Sequence, residues 1–172
     1  YVLIAASAFD DANSGSYAGI SSTTSLNFTS TNVLPTLSSS TPADDATSVA
    51  IDTNIVLNFS ENVTAQSGNI IIKKTSDDST VETIDVAGGQ VTGTGTSQIT
   101  INPSSNFDAN TGYYVLIAAS AFDDANSGSY AGITSTTALT FTSANVLPTL
   151  SSSTPADNAT NVIKDGTIVL NF

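Results

Sequence analysis

Apolar and polar residues alternate along short stretches of this chain, the pattern of strands that bury one face. Ile55, Leu57 and Phe59 occupy alternate positions in the stretch NIVLNFS, while no stretch shows the three- and four-residue apolar spacing of a helix. The alternation predicts an all-β sandwich of two antiparallel sheets. Seven strands are predicted in its central part, at 36–40, 54–60, 69–74, 81–86, 97–101, 113–122 and 138–142.

The chain also repeats itself with a period of 113 residues. Residues 1–59 align without gaps with residues 114–172, and 49 of the 59 positions are identical. A period of this length is that of a whole domain, because solenoid repeats are only about 20–50 residues long. The sequence therefore predicts tandem domains of one kind.

The boundaries of the repeat are predicted from the phrase NVLP, which occurs at 32–35 and again at 145–148. Its proline cannot donate to a strand ladder and disfavours helix just before it, as expected of a linker. We expect this chain to be a section of a longer tandem array. It consists of the C-terminal part of one repeat at 1–33, a complete repeat at 34–146 and the first strands of a third repeat at 147–172.

Composition and charge exclude several classes of binding partner and reactive site. The net charge is −12, from 15 acidic and 3 basic residues, so the surface repels nucleic-acid phosphates and anionic lipid. The longest apolar run has about ten residues, too few for a membrane span, so we expect no direct membrane insertion. Cysteine and histidine are both absent, which excludes disulfides, thiolate metal sites and Ser–His or Cys–His nucleophile pairs.

Other catalytic arrangements fit the sequence no better. Lys73 and Lys74 sit together at a predicted exposed strand end, a poor position for a Ser–Lys pair. The carboxylates fall in turns, without the deep cleft and paired geometry of a glycosidase. We therefore expect no enzyme.

Two stretches support a named resemblance. TPADDATSVAIDTNIVLNFSENV (41–63) is similar to the opening of the bacterial Ig-like domain of S-layer proteins and large repetitive adhesins. TINPSSNFDANTGYYVLIAASAFDDANSG (100–128) resembles its later half. Two features depart from the family pattern, because Asp45 stands where the family usually has glycine and DDANSGSYAG is longer than the usual turn. The resemblance implies an Ig-like sandwich, a spacer or adhesive role and no catalytic residues.

The stretch AFDDANSGSYAGI occurs at 8–20 and again at 121–133 and is the main candidate for chemistry. Asp124 and Asn126, followed by Gly128, resemble the first half of a calcium loop, since Ca²⁺ binds carboxylate and amide oxygens. The same residues are also those that a tight turn requires, and the motif lacks a later glutamate ligand. Both interpretations stay open at this point.

The expected position of this loop favours calcium. Loops of an Ig-like sandwich alternate between its two ends, so acidic loops of consecutive repeats are predicted to meet at the junction. Like charges gathered there repel unless cations bridge them. The candidate ligands are Asp44, Asp45 and Asp108 of one repeat with Asp123, Asp124 and Asn126 of the next, and their equivalents are Asp10, Asp11, Asn13 and Asp157.

Three further residues have predicted structural roles. Asp52 and Glu61 bracket the strand NIVLNFS, where we expect them to cap turns by accepting backbone N–H bonds. Tyr113 or Tyr114 follows the turn FDANTG and is predicted to form a tyrosine corner.

The function predicted from these features is mechanical. We expect a spacer segment of a long bacterial surface or secreted adhesin fibre, located outside the cell and contacting neighbouring repeats, with an unknown adhesive target. One alternative is a ligand- or glycan-binding accessory module, although the chain has no tryptophan for sugar stacking. Another is a self-assembling filament or S-layer subunit, whose partial repeats are completed by neighbouring chains.

Overall fold

The computed structural model describes residues 1–172, which divide into two compact units, Tyr1–Val33 and Leu34–Phe172. All regular structure is β, so the predicted all-β fold is confirmed. None of the chain forms a helix of the length and apolar character needed to cross a membrane. The strands are β1 (Leu37–Thr41), β2 (Ala46–Val49), β3 (Ile55–Ala65), β4 (Asn69–Lys74), β5 (Thr80–Asp85), β6 (Val91–Thr92), β7 (Thr96–Ile101), β8 (Gly112–Ile117), β9 (Phe122–Asp123), β10 (Thr140–Ser143), β11 (Ser152–Thr154) and β12 (Val169–Asn171).

Strands β1 to β10 form two sheets that enclose one core. One sheet has the order β1-β3-β7-β6, with β9 pairing the far end of β3, and the other has the order β2-β10-β8-β4-β5. The buried side chains of both sheets form one hydrophobic cluster, as in a sandwich. The separate pair β11–β12 has exposed strands.

Antiparallel sheets were predicted from the sequence, but one pair of strands is parallel. β2 pairs β10 in parallel, with Phe141 opposite Ala46. The physical reason is that β1 runs antiparallel to β3 and, after the turn that follows it, the chain crosses to the other sheet without reversing. β2 therefore continues in the direction of β1 and lies parallel to β10.

Most predicted strands lie within two residues of the observed ones, and β4 coincides. The predicted end of the second strand at residue 60 is wrong, because β3 continues to Ala65 and fully buries Val63. The pairing of β3 with β7 is irregular between Asn58 and Val63. The apolar pattern is interrupted there because Glu61 occupies the alternate position between Phe59 and Val63. The predicted strand 113–122 is two strands, β8 and the short β9.

Two groups of aromatic rings fill the core. Phe107, Tyr113 and Phe141 contact one another with ring centroids 4.8 to 5.4 Å apart. Phe59 contacts both Phe122 and Tyr130, at 5.3 and 5.1 Å. Tilted and edge-on contacts of this kind add to the burial energy of the rings.

The predicted tyrosine corner is confirmed for Tyr113. The backbone N–H of Asp108 donates to the Tyr113 hydroxyl at 2.8 Å, which ties the turn before β8 to the buried ring. Tyr114 has a different role, since its hydroxyl donates to Asp78 Oδ1 at 3.0 Å.

The partial repeats keep the local structure of the complete one. Ile4 bridges Ile20 as their equivalents do one period later, and β11 pairs β12 in the register of β1 with β3. Their core positions are uncovered, however, with Phe9 65% and Phe28 75% exposed. Hairpin geometry is therefore encoded locally, whereas burial requires the remaining strands.

Candidate functional site

The repeated acidic loop forms a closed turn directly after β9. Asp124 Oδ1 accepts the backbone N–H groups of Asn126 and Gly128, both at 2.7 Å. The backbone N–H of Asp124 donates to the Gly128 carbonyl at 2.9 Å. Because Asp124 is only 5% exposed, its carboxylate organises this turn inside the sandwich.

The same turn occurs in the 1–33 unit. Asp11 Oδ1 accepts the backbone N–H groups of Asn13 and Gly15 at 2.8 and 2.7 Å, and all three residues are exposed. A Cβ atom on Gly15 would lie 2.9 Å from Asp11 Oδ2, which explains the glycine at this position. The spacing of acid, amide and glycine is therefore accounted for by the turn itself.

Asp123 is the feature of this loop that the turn does not explain. It pairs with Thr64 of β3 and bridges Ser129, while its Oδ1 atom is buried without a hydrogen-bond partner. A buried carboxylate oxygen without a donor is unfavourable, so this atom would gain most from a cation. Asp10, its equivalent in the 1–33 unit, bridges Ser16 in the same way.

Asp44 and Asp45 lie at the start of β2 and hold the start of β10. The Thr140 backbone N–H donates to Asp44 Oδ1 at 2.9 Å, and the Thr140 hydroxyl donates to Asp45 Oδ1 at 2.9 Å. Their equivalents at the next period are also neighbours, since Asn158 Nδ2 donates to Asp157 Oδ2 at 3.0 Å.

Asp108 lies apart from that pair. Its carboxylate accepts a hydrogen bond from Lys74 Nζ at 2.7 Å, and this bond and charge raise the pKa of Lys74. Its backbone carbonyl accepts from Ser143, three residues along β10 from Thr140, a distance of about 10 Å in a strand. Within one repeat, the structure thus does not bring Asp108 together with Asp44 and Asp45.

No group of three or more acidic side chains in the chain lies close enough to hold a metal ion. The predicted site differs from such a group, because it draws its ligands from two consecutive complete repeats. Calcium binding there stays a prediction.

Glu82 of β5 is an organising residue that the sequence analysis missed. It accepts hydrogen bonds from Gln90 Nε2 at 2.8 Å and from the Ser104 backbone N–H at 3.0 Å, so it joins β5 to the segments beside β6 and β7. Partial burial raises its pKa, but the bonds from Gln90 and Ser104 lower it more, and the net shift is downward. Its partners lie 8 and 22 residues away, so no local motif marks it.

Replacing Glu82 by glutamine should lower the free energy of unfolding by about 1 kcal/mol at pH 7, because hydrogen bonds to a carboxylate stabilise more than those to an amide. Since the folded pKa is lowered, the contribution of Glu82 is present above its unfolded pKa of about 4.3 and is lost as pH falls through the folded pKa. Urea unfolding of both proteins from pH 7 to pH 3 should show the difference shrinking below about pH 4. Glu61→Gln serves as control, since Glu61 makes no side-chain hydrogen bond; an equal loss in that variant would contradict the role of Glu82.

Comparisons with known proteins identify the family of this chain. No curated protein matches the chain. Among solved structures, the S-layer protein rSbsC(31-844) matches at 16% sequence identity with a TM-score of 0.43, over 70% of this chain and 15% of that one. The family model described as bacterial Ig-like domain matches residues 31–143. That match spans nearly the whole sandwich and well over half of the chain, so the protein belongs to the bacterial Ig-like domain family.

Proposed function

We propose that this protein is a spacer segment of a long bacterial surface or secreted fibre of the adhesin type. The observation that supports it most is the repetition of a whole sandwich domain with a period of 113 residues, in which 49 of 59 compared positions are identical. The chain enters and leaves the complete repeat at different heights, since Leu37 pairs with Phe59 in the middle of β3, whereas Thr142 pairs with Gly112 at the start of β8. We infer that successive repeats follow one another along the fibre.

The gain in length per repeat follows from strand geometry. β3 has 11 residues, which at roughly 3.3 Å each gives about 36 Å, and the loops at both ends bring the repeat to roughly 40 Å. Length is then proportional to the number of repeats, which is what a spacer requires. Non-catalytic behaviour and an extracellular location belong to this proposal and are supported by the family.

Small-angle X-ray scattering on this chain and on versions extended by one and two 113-residue repeats tests the proposal. The maximum dimension should increase by about 40 Å with each repeat. Growth close to the cube root of the mass would indicate a folded-back cluster and contradict it. Variants with glycine at Val33 and Val146 should have the same contour length but a broader distance distribution, because both side chains are exposed and glycine loosens the linker.

Calcium at the junction is the finer part of the proposal, with ligands from Asp44, Asp45 and Asp108 of one repeat and Asp123 and Asp124 of the next. The buried, unpartnered Asp123 Oδ1 supports it. A version with two complete repeats should melt several degrees higher in millimolar CaCl₂ than with chelator, since a ligand at 100 times its Kd stabilises by about 2.7 kcal/mol. Asp123→Asn should remove the increase, and equal ionic strength of NaCl should not reproduce it. An unchanged melting temperature would contradict the proposal.

A further inference from the structure

A polar cleft of about 480 Å³ opens on the outer face of the sheet β2-β10-β8. Its floor is formed by residues that alternate with the core: Tyr114, Thr140 and Thr142 face the cleft, whereas Tyr113 and Phe141 face inward. The volume is within the range of small-molecule sites, roughly 300–1,000 Å³. The cleft lies wholly inside the complete repeat and shares no residue with the Asp123–Asp124 turn.

Two carboxylates that line the cleft are held by the protein through one oxygen each. Asp45 Oδ1 accepts from the Thr140 hydroxyl at 2.9 Å, and Asp78 Oδ1 accepts from the Tyr114 hydroxyl at 3.0 Å. The second oxygen of each carboxylate accepts no hydrogen bond from the protein. Each carboxylate is thus fixed in orientation and keeps an acceptor for a ligand.

The rest of the lining determines which chemistry fits. No lysine or arginine lines the cleft, so nothing there balances the charge of an anion such as a phosphate or a uronate. Two carboxylates also supply too few oxygens for Ca²⁺, which takes roughly six to eight. Hydroxyl groups, each able to donate and accept, dominate the wall; they belong to Thr47, Thr75, Thr136, Thr137, Thr140 and Thr142.

We propose that this cleft binds a neutral saccharide, whose hydroxyl groups donate to Asp45 and Asp78 and exchange hydrogen bonds with the threonines. Tyr114 is only 3% exposed and offers no ring face for stacking. Binding by this cleft is therefore weak, on the order of millimolar. The proposal goes beyond the spacer function and does not depend on it.

Differences between the repeats support a recognition role. Nine lining residues have an equivalent elsewhere in the chain, and only two of them differ: Asp45 is replaced by Asn158 in the following repeat, and Thr140 by Asn27 in the preceding one. Asp45 and Thr140 contact each other in the complete repeat. Each neighbouring repeat thus has an amide at one of these two positions, which changes its donors and acceptors while its other compared residues stay the same.

Titrating the ¹⁵N-labelled chain with maltotriose, cellotriose and N,N′,N″-triacetylchitotriose to about 20 mM tests the proposal, with CaCl₂ as a separate titration. At least one sugar should shift the backbone amides of Asp45, Asp78 and Thr140 saturably. Its Kd should be the same in 0.05 and 0.5 M NaCl, because the ligand is uncharged. No shift with any of the three sugars, or shifts with CaCl₂ alone, would overturn it.

Variants give the sharper test. Asp45→Asn and Asp78→Asn should each weaken sugar binding at least about tenfold, the effect of losing one charge-assisted hydrogen bond. Both should fold, because Asn158 adopts the same left-handed φ of 59° as Asp45, and an amide oxygen at 78 still accepts from Tyr114. Asp52→Asn, an exposed change outside the cleft, should leave the Kd unchanged. Equal weakening in all three variants would reveal nonspecific association and overturn the site.

Discussion

Replacing Leu57 by alanine should lower the free energy of unfolding of the sandwich by about 3–4 kcal/mol, the middle of the range for a buried leucine. Leu57 lies in the first half of β3, opposite Ser40 of β1 and Ile99 of β7, and its side chain is fully buried. The loss combines the transfer energy of the removed methyl groups with the cavity left in a core that cannot close around it. For a domain of this size, the melting temperature should fall by about 10–15 °C.

The chain contains its own control for this experiment. Leu170 occupies the same position one period later, between identical neighbours, and is 51% exposed. Leu170→Ala should change the free energy of unfolding of the sandwich by no more than about 0.5 kcal/mol. Urea unfolding followed by tyrosine fluorescence gives both values. Equal losses would show that the effect arises from strand propensity and not from burial, and would contradict the role assigned to Leu57.

That contrast also shows how much of the fold the sequence can predict. Alternation located β4 and most other strands, because buried residues recur at every second position in strands such as β4 and β10. It failed after Phe59, where Glu61 interrupts the apolar positions although Val63 lies in the core in phase with Phe59. It missed β2, whose four residues are held in place by β10, nearly a hundred residues later. Local periodicity cannot report a strand that depends on so distant a partner.

The candidate site, too, could be predicted from the sequence only where its contacts are local. The turn of Asp124 is closed by hydrogen bonds to residues two and four positions ahead, so its composition already indicates it. The contact of Asp44 with Thr140 spans 96 residues and that of Lys74 with Asp108 spans 34. Which acids meet is decided by which strands are adjacent, and this is why the predicted grouping of Asp108 with Asp44 does not occur within one repeat.

The Asp124 turn should also be a main contributor to stability, although the sequence presents it as a loop. Asp124→Ala should lower the free energy of unfolding by about 2–3 kcal/mol, because two backbone N–H groups next to the core lose their charged acceptor while they remain shielded from water. Asp124→Asn keeps an oxygen acceptor and should cost only about half as much. Chemical denaturation in the presence of chelator measures both without any contribution from cations.

Asp11→Ala is the matched control, since it opens the same turn where Asp11 is exposed and water can satisfy the freed groups. It should leave the unfolding of the sandwich unchanged within about 0.5 kcal/mol. The asparagine variant separates the two roles of the loop. If Asp124 acts through the turn, Asp124→Ala still loses more free energy of unfolding than Asp124→Asn when chelator is present. A loss in Asp124→Ala that appears only when calcium is present would instead make Asp124 a cation ligand and contradict its structural role.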